Sequence, residues 1–212
     1  MKNFLKNNWI LILIFALAIF LRLNYDIFIK GYNHDEIAIM SVAVQSFPFG
    51  ILKKAALIDF HAPLYQLIIH FFTKFQNEWV YIRFFNLLIS LLNIYVFYKI
   101  GTLIKNKTLG YILALILTVN HLEISTVSFV KFYCAAYFLV TCSLYYFIKI
   151  LKKDEGYIKL GLVNIFFILV STHGFIYVFL EYLTLFILKK DPKKVLNSFL
   201  ISLIGFILYS PI

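Results

Sequence analysis

Seven runs of largely apolar residues, at 9–24, 82–100, 109–122, 132–151, 160–172, 174–188 and 195–209, divide the chain. A helix needs roughly 20 mostly apolar residues to cross the hydrocarbon core of a bilayer. The third and fifth runs are short and must borrow flanking residues. The first is followed by Leu21-Arg22-Leu23 rather than a small-residue cleavage site, so it reads as a retained signal anchor. The expected fold is all-α: a polytopic membrane protein of about seven transmembrane helices, N-terminus in the cytoplasm, in the plasma (inner) membrane. Residues 1–212 form one transmembrane module.

Composition agrees. Apolar residues make up 62% of the chain and charged residues 14%, against about 25% charged in soluble domains. Mean hydropathy is +0.88. Cys134 and Cys142 lie in one apolar run, about 12 Å apart along a helix, too far for a disulfide. The net charge of +10 is topological, because cytoplasmic loops collect lysine; no nucleic-acid partner is expected.

The segment 63–75 decides the count. Leu64, Leu67, Ile68, Phe71, Phe72 and Phe75 form one helical stripe, and Gln66, His70 and Lys74 another. A polar stripe suits a helix lying in the interface, not one crossing it. Lysines cluster at 2/6, 99/105/107, 149/152/153/159 and 189/190/193/194. All four clusters share one side only if 63–75 does not cross, as the positive-inside rule favours. The residues 25–81 then form one long outer loop with interfacial helices.

That face gathers the chemistry-bearing residues. Asn33-His34-Asp35-Glu36 has a helix cap at Asn33 and a capping-box partner at Glu36. Asp35 falls in the first turn, where the helix dipole favours its ionised form. Capping alone would account for both acids; an ionised carboxylate at a membrane face also suits a general base. His61-Ala62-Pro63-Leu64-Tyr65 opens the interfacial helix. Lys131 begins the fourth run, either as a snorkelling anchor or to meet an anionic phosphate. Lys53 and Lys54 lie in the same outer segment. Glu181 lies within the sixth run, where an acid is costly. Asn86 and Asn93, seven apart, predict a polar seam facing the interior. The histidines His34, His61, His121 and His173 show no metal-ligand spacing. No metal or other cofactor is assigned, and dependence on a divalent cation stays open.

These residues resemble the GT-C superfamily of membrane glycosyltransferases. The closest groups are the protein O-mannosyltransferase and aminoarabinose-transferase type and the bacterial RgtA/B/C/D-like domain. That pattern has an acidic pair after the first span, His-Pro-Pro-Leu-Tyr, Leu-Arg opening a long span, and Ala-Arg-Met-Tyr at the next outer face. Here stand Asp35-Glu36, His61-Ala62-Pro63-Leu64-Tyr65, Ile82-Arg83-Phe84-Phe85 and Val130-Lys131-Phe132-Tyr133, in the same order between about residues 33 and 188. The resemblance implies a polyprenyl-phosphate sugar as donor and a lipid, glycan or protein hydroxyl as acceptor. It implies that Asp35 is the catalytic base, with Glu36 beside it, and that His61, Tyr65, Lys131, Lys53 and Lys54 contact substrate. Ala62 replaces a proline, Phe129 stands where an acid often lies, and Lys131 replaces an arginine. Lysine keeps the charge but loses the bidentate fork on phosphate. Family members continue past this length, so a fragment or a partner-dependent minimal module is expected.

Two rivals remain: a transporter or lipid flippase, and an inactive truncated module. Transporters break their helices near the midplane, whereas Pro48, Pro63, Pro192 and Pro211 all lie outside mid-run positions.

Overall fold

The computed structural model describes residues 2–25, 32–58 and 63–209, with side chains over 8–25, 32–55 and 63–208. Among them every regular element is helical. In chain order these are α1 (Lys2–Leu23), α2 (His34–Ala43), α3 (Phe49–Ile58), α4 (Leu64–His70), α5 (Glu78–Ile104), α6 (Lys107–Val119), α7 (His121–Ser128), α8 (Tyr133–Lys153), α9 (Tyr157–Val170), α10 (Gly174–Ile187) and α11 (Pro192–Tyr209). A 3₁₀ turn at Phe72–Lys74 follows α4.

By length and composition, α5 and α8 can each cross a membrane, and α6 with α7 makes a third candidate bent by 55°. The 27 residues of α5 extend about 40 Å. Asn8–Leu23, α9 and α10 are shorter apolar helices. The bend corrects one expectation. The run 109–122 is not one helix, because Asn120 adopts an extended backbone and its side chain accepts from the Glu123 amide at 3.1 Å. A new helix start therefore interrupts the run.

The segment 63–75 breaks into the seven-residue α4, only about 10 Å long, and the 3₁₀ turn. Of the apolar stripe, Leu64, Leu67 and Phe72 pack partly on the core. Tyr65, Gln66 and Ile69 point inward, while Phe71 and Phe75 are about half exposed. The His70 Nδ1 lies 2.7 Å from the Ala43 carbonyl, fastening α4 to the end of α2.

Three of the apolar clusters among the described residues join the main helices. Leu11, Ile14 and Ala18 of α1 pack on Ile94, Tyr98 and Ala114 of α5 and α6. Ile150, Leu160, Val178, Tyr182 and Val195 join α8 to α11. Ile39, Met40, Tyr65, Ile82, Val130 and Val170 seat α2 and α4 on one end. Where α5 meets α6, a Cβ on Gly101 would come within 2.6 Å of the Gly110 Cα, so only glycine permits this close approach.

The opposite end gathers the lysines. Lys152 donates to the Ile104 carbonyl, Lys190 to the Leu151 carbonyl, and Lys194 pairs with Asp154 at 2.7 Å. The Lys2 and Lys6 side chains lie outside the described residues. Around the bundle, Trp9, Phe20, Leu88, Ile116, Ile176 and Ile187 are each more than half exposed. Such a continuous apolar surface aggregates in water and suits lipid.

Candidate functional site

The site is built on the start of α2. The Asn33 side chain accepts from the Glu36 amide at 2.9 Å, and the Glu36 carboxylate accepts from the Asn33 amide at 2.7 Å. This is the reciprocal capping box that the sequence predicts. The second Glu36 oxygen accepts from the Val130 amide at 2.6 Å, across 94 residues of chain. Glu36 is buried, 2% exposed, and its oxygens serve backbone donors. It ties the start of α2 to the strap between α7 and α8.

That tie positions Lys131. Its Nζ lies 2.6 Å from the Asp35 Oδ2 and 5.3 Å from the Tyr133 ring centroid. The Lys131 side chain is 16% exposed and that of Asp35 67%. One partner is anchored in the protein; the other stands at its surface. The hydrogen bond and charge of Lys131 hold the Asp35 carboxyl below the usual carboxylate range. Burial pulls the Lys131 ammonium down, but Asp35 and Tyr133 more than offset this, leaving it above the ordinary lysine value. Both groups are therefore charged near neutral pH. Among the described residues, the Asp35 Oδ1 takes no hydrogen bond, so it is open to a proton donor.

Below this pair lies a buried polar seam. Asn86 donates to the Phe129 carbonyl at 2.8 Å and receives the Tyr65 hydroxyl at 3.4 Å. Arg22, fully buried, donates to the Ser90 hydroxyl at 2.8 Å and the Thr118 carbonyl at 3.2 Å. Ser90 and Asn93 donate to the same Glu123 oxygen at 3.0 and 3.1 Å. The Ser90 hydroxyl thus links the buried Arg22 and Glu123 side chains, accepting from one and donating to the other. A separate network, in which Ser143 and Asn164 bond Glu181 at 2.8 to 3.0 Å, joins α8, α9 and α10.

The structure brings Asp35, Glu36 and Lys131 together. It places Tyr65 elsewhere than the sequence suggests: at 1% exposure this residue is part of the floor under α2, not a wall open to substrate. Lys53 is exposed and Lys54 half-buried on α3, and among the described residues neither is ion-paired to Asp35 or Glu36. His61 lies outside the described residues. His121 packs edge-on against Tyr25, ring centroids 5.4 Å apart. Sequence inspection missed Arg22 and Glu123. One signal was present: Asn120-His121-Leu122-Glu123 repeats the start pattern of Asn33-His34-Asp35-Glu36.

The chain matches no family model, no curated protein and no solved structure.

Proposed function

We propose that this chain is a membrane-embedded glycosyltransferase module, moving a sugar from a polyprenyl-phosphate donor to an acceptor hydroxyl at the outer face. The observation that carries it is the exposed Asp35 carboxylate 2.6 Å from the anchored Lys131 ammonium, at the end of the bundle away from the lysine clusters. In this proposal seven helices, α1, α5, α6, α8, α9, α10 and α11, cross the plasma membrane with the N-terminus in the cytoplasm, while α2, α3 and α4 lie in the outer interface.

The chemistry is a single displacement. The Asp35 Oδ1 takes the acceptor hydroxyl proton as the acceptor oxygen bonds to the anomeric carbon. The bond from that carbon to the phosphate oxygen breaks, and polyprenyl phosphate leaves with the electron pair. Lys131 moves its charge from Asp35 toward the leaving phosphate, where it stabilises the developing anion. Glu36 acts through the backbone, fixing the distance between the two.

The test is sugar transfer from a polyprenyl-phosphate donor in membranes holding matched amounts of protein. Asp35→Asn should cost about 10²–10⁴-fold in rate with membrane insertion intact, and Glu36→Gln less. Near wild-type transfer by Asp35→Asn, or a larger loss in Glu36→Gln, removes Asp35 as the base. Cysteines introduced at Gln76 and Asn77 should label from outside; labelling only from the cytoplasm defeats the seven-span arrangement.

A further inference from the structure

A second site lies deeper along the seam. A cleft of about 310 Å³ opens between α5, α6, α7 and α8, within the size range of small-molecule sites. Asn93 and Glu123 line it. Asn93 is seven residues beyond Asn86 on α5, about 10 Å further along the helix. Apolar walls come from Phe97, Leu117 and Val140. At the mouth stand Leu122 and Tyr137, 67% and 42% exposed, so the cleft faces the apolar outer surface of the bundle.

Its polar floor is incomplete. Asn93 is 2% exposed, and its Oδ1 is buried with no hydrogen-bond partner among the described residues. The amide cannot simply turn over, because its Nδ2 donates to Glu123 at 3.1 Å and the reverse orientation would set two acceptors against each other. Glu123 receives Ser90 and Asn93 on Oε1 alone; among the described residues its Oε2 accepts nothing. A buried acceptor without a donor costs free energy. Asn120, Tyr137 and Thr141 also line the cleft, but among the described residues none of their side chains donates to Asn93 or Glu123, and the Thr141 hydroxyl is spent on the Tyr137 carbonyl, so two acceptors at this end are left unmet. The Arg22 charge already balances Glu123 through Ser90, which favours a neutral donor over a cation.

We propose that this cleft binds the hydroxyl-bearing end of a neutral lipid entering sideways from the membrane. The hydroxyl donates to Asn93 or Glu123, and the chain lies along Phe97, Leu117 and Val140. The inference rests on the apolar exterior and the cleft, not on glycosyl transfer by Asp35, so either can fail alone.

The test uses the full chain in phosphatidylcholine vesicles. It is irradiated with a dioleoylglycerol probe carrying a diazirine on one acyl chain, and in parallel with that probe's methyl ether, which has no hydroxyl donor. Peptides of α5 and α8 at the cleft should be labelled about five- to tenfold more by the alcohol, the scale of one hydrogen bond. Val140→Trp and Leu117→Trp, which fill the cleft, should each remove that excess without changing the unfolding midpoint measured before probe is added. Glycerol in excess should not compete. Equal labelling by the two probes, or an excess that survives both tryptophans, overturns the proposal. Competition by glycerol shows a water-soluble polyol site and overturns the assignment to lipid. The wild-type comparison decides by itself should a variant fail to fold.

Discussion

Asn33-His34-Asp35-Glu36 and Asn120-His121-Leu122-Glu123 begin two helices with the same code, and the two regions use it differently. Both asparagines cap through the amide of the glutamate three residues on. Both glutamates are buried, at 2% and 4% exposure. Glu36 turns back to backbone amides, closing the capping box and gripping Val130. Glu123 turns inward to Ser90 and Asn93 and faces Arg22 across Ser90. The intervening residue diverges as well: Asp35 meets Lys131, whereas Leu122 is exposed and apolar at the mouth of a cleft. A start signal fixes where a helix begins; the neighbours brought by the fold decide what its glutamate does.

The largest effect expected from breaking this contrast is at Arg22. Arg22→Leu leaves the Glu123 carboxylate buried without its counter-charge and should lower stability by about 3–5 kcal/mol. Thermal unfolding in detergent measures this, and the double variant Arg22→Leu with Glu123→Leu should recover most of the loss. No recovery would mean that the two charges do not act as a pair.

Lys131→Met tests the other region. It should lower sugar transfer by about 10²–10³-fold, the usual cost of one donor at a developing anion, with a small change in unfolding midpoint. A large stability loss with normal transfer would reverse the roles assigned to the two turns.

The caps sharpen the comparison at smaller scale. Asn33→Ala and Asn120→Ala should each cost about 1 kcal/mol, because the local bond they remove is the same. A much larger loss at Asn120 would mean that its cap also holds the Glu123 network in place.

The smallest effects are expected in acid. Lys131 lowers the Asp35 carboxyl, and at the opposite end Lys194 and the Tyr157 hydroxyl lower that of Asp154. A depressed carboxyl contributes stability that is present above its unfolded value, about 3.9, and is lost as pH falls through the lower folded one. Any change in the unfolding midpoint between pH 7 and 5 should therefore be the same in wild type, Asp35→Asn and Lys194→Ala. A transition in that range that vanishes in Asp35→Asn would show that Lys131 does not hold the carboxylate in its ionised form.

Much of the framework was legible in the residues themselves. Apolar runs predict the helices, Asn33 and Glu36 the capping box, and the seven-residue spacing of Asn86 and Asn93 the inward seam; these follow from local periodicity and local hydrogen bonding. The stripes on 63–75 predict an amphipathic element, but helical periodicity does not say that Gln66 of the polar stripe is buried beside Tyr65 and Ile69; packing decides that. Asp35 with Lys131 and Glu36 with the Val130 amide are contacts across more than 90 residues, and no local pattern encodes them. Arg22 reads as the flank of an apolar run, yet it is fully buried because Ser90, Thr118 and Glu123 surround it. Sequence determined which segments are helical and where several begin, because those terms are paid within one turn. Tertiary structure decided which charges are paired, which carboxylate is open and where an acceptor is left unmet, because those depend on groups that become neighbours only when the helices pack.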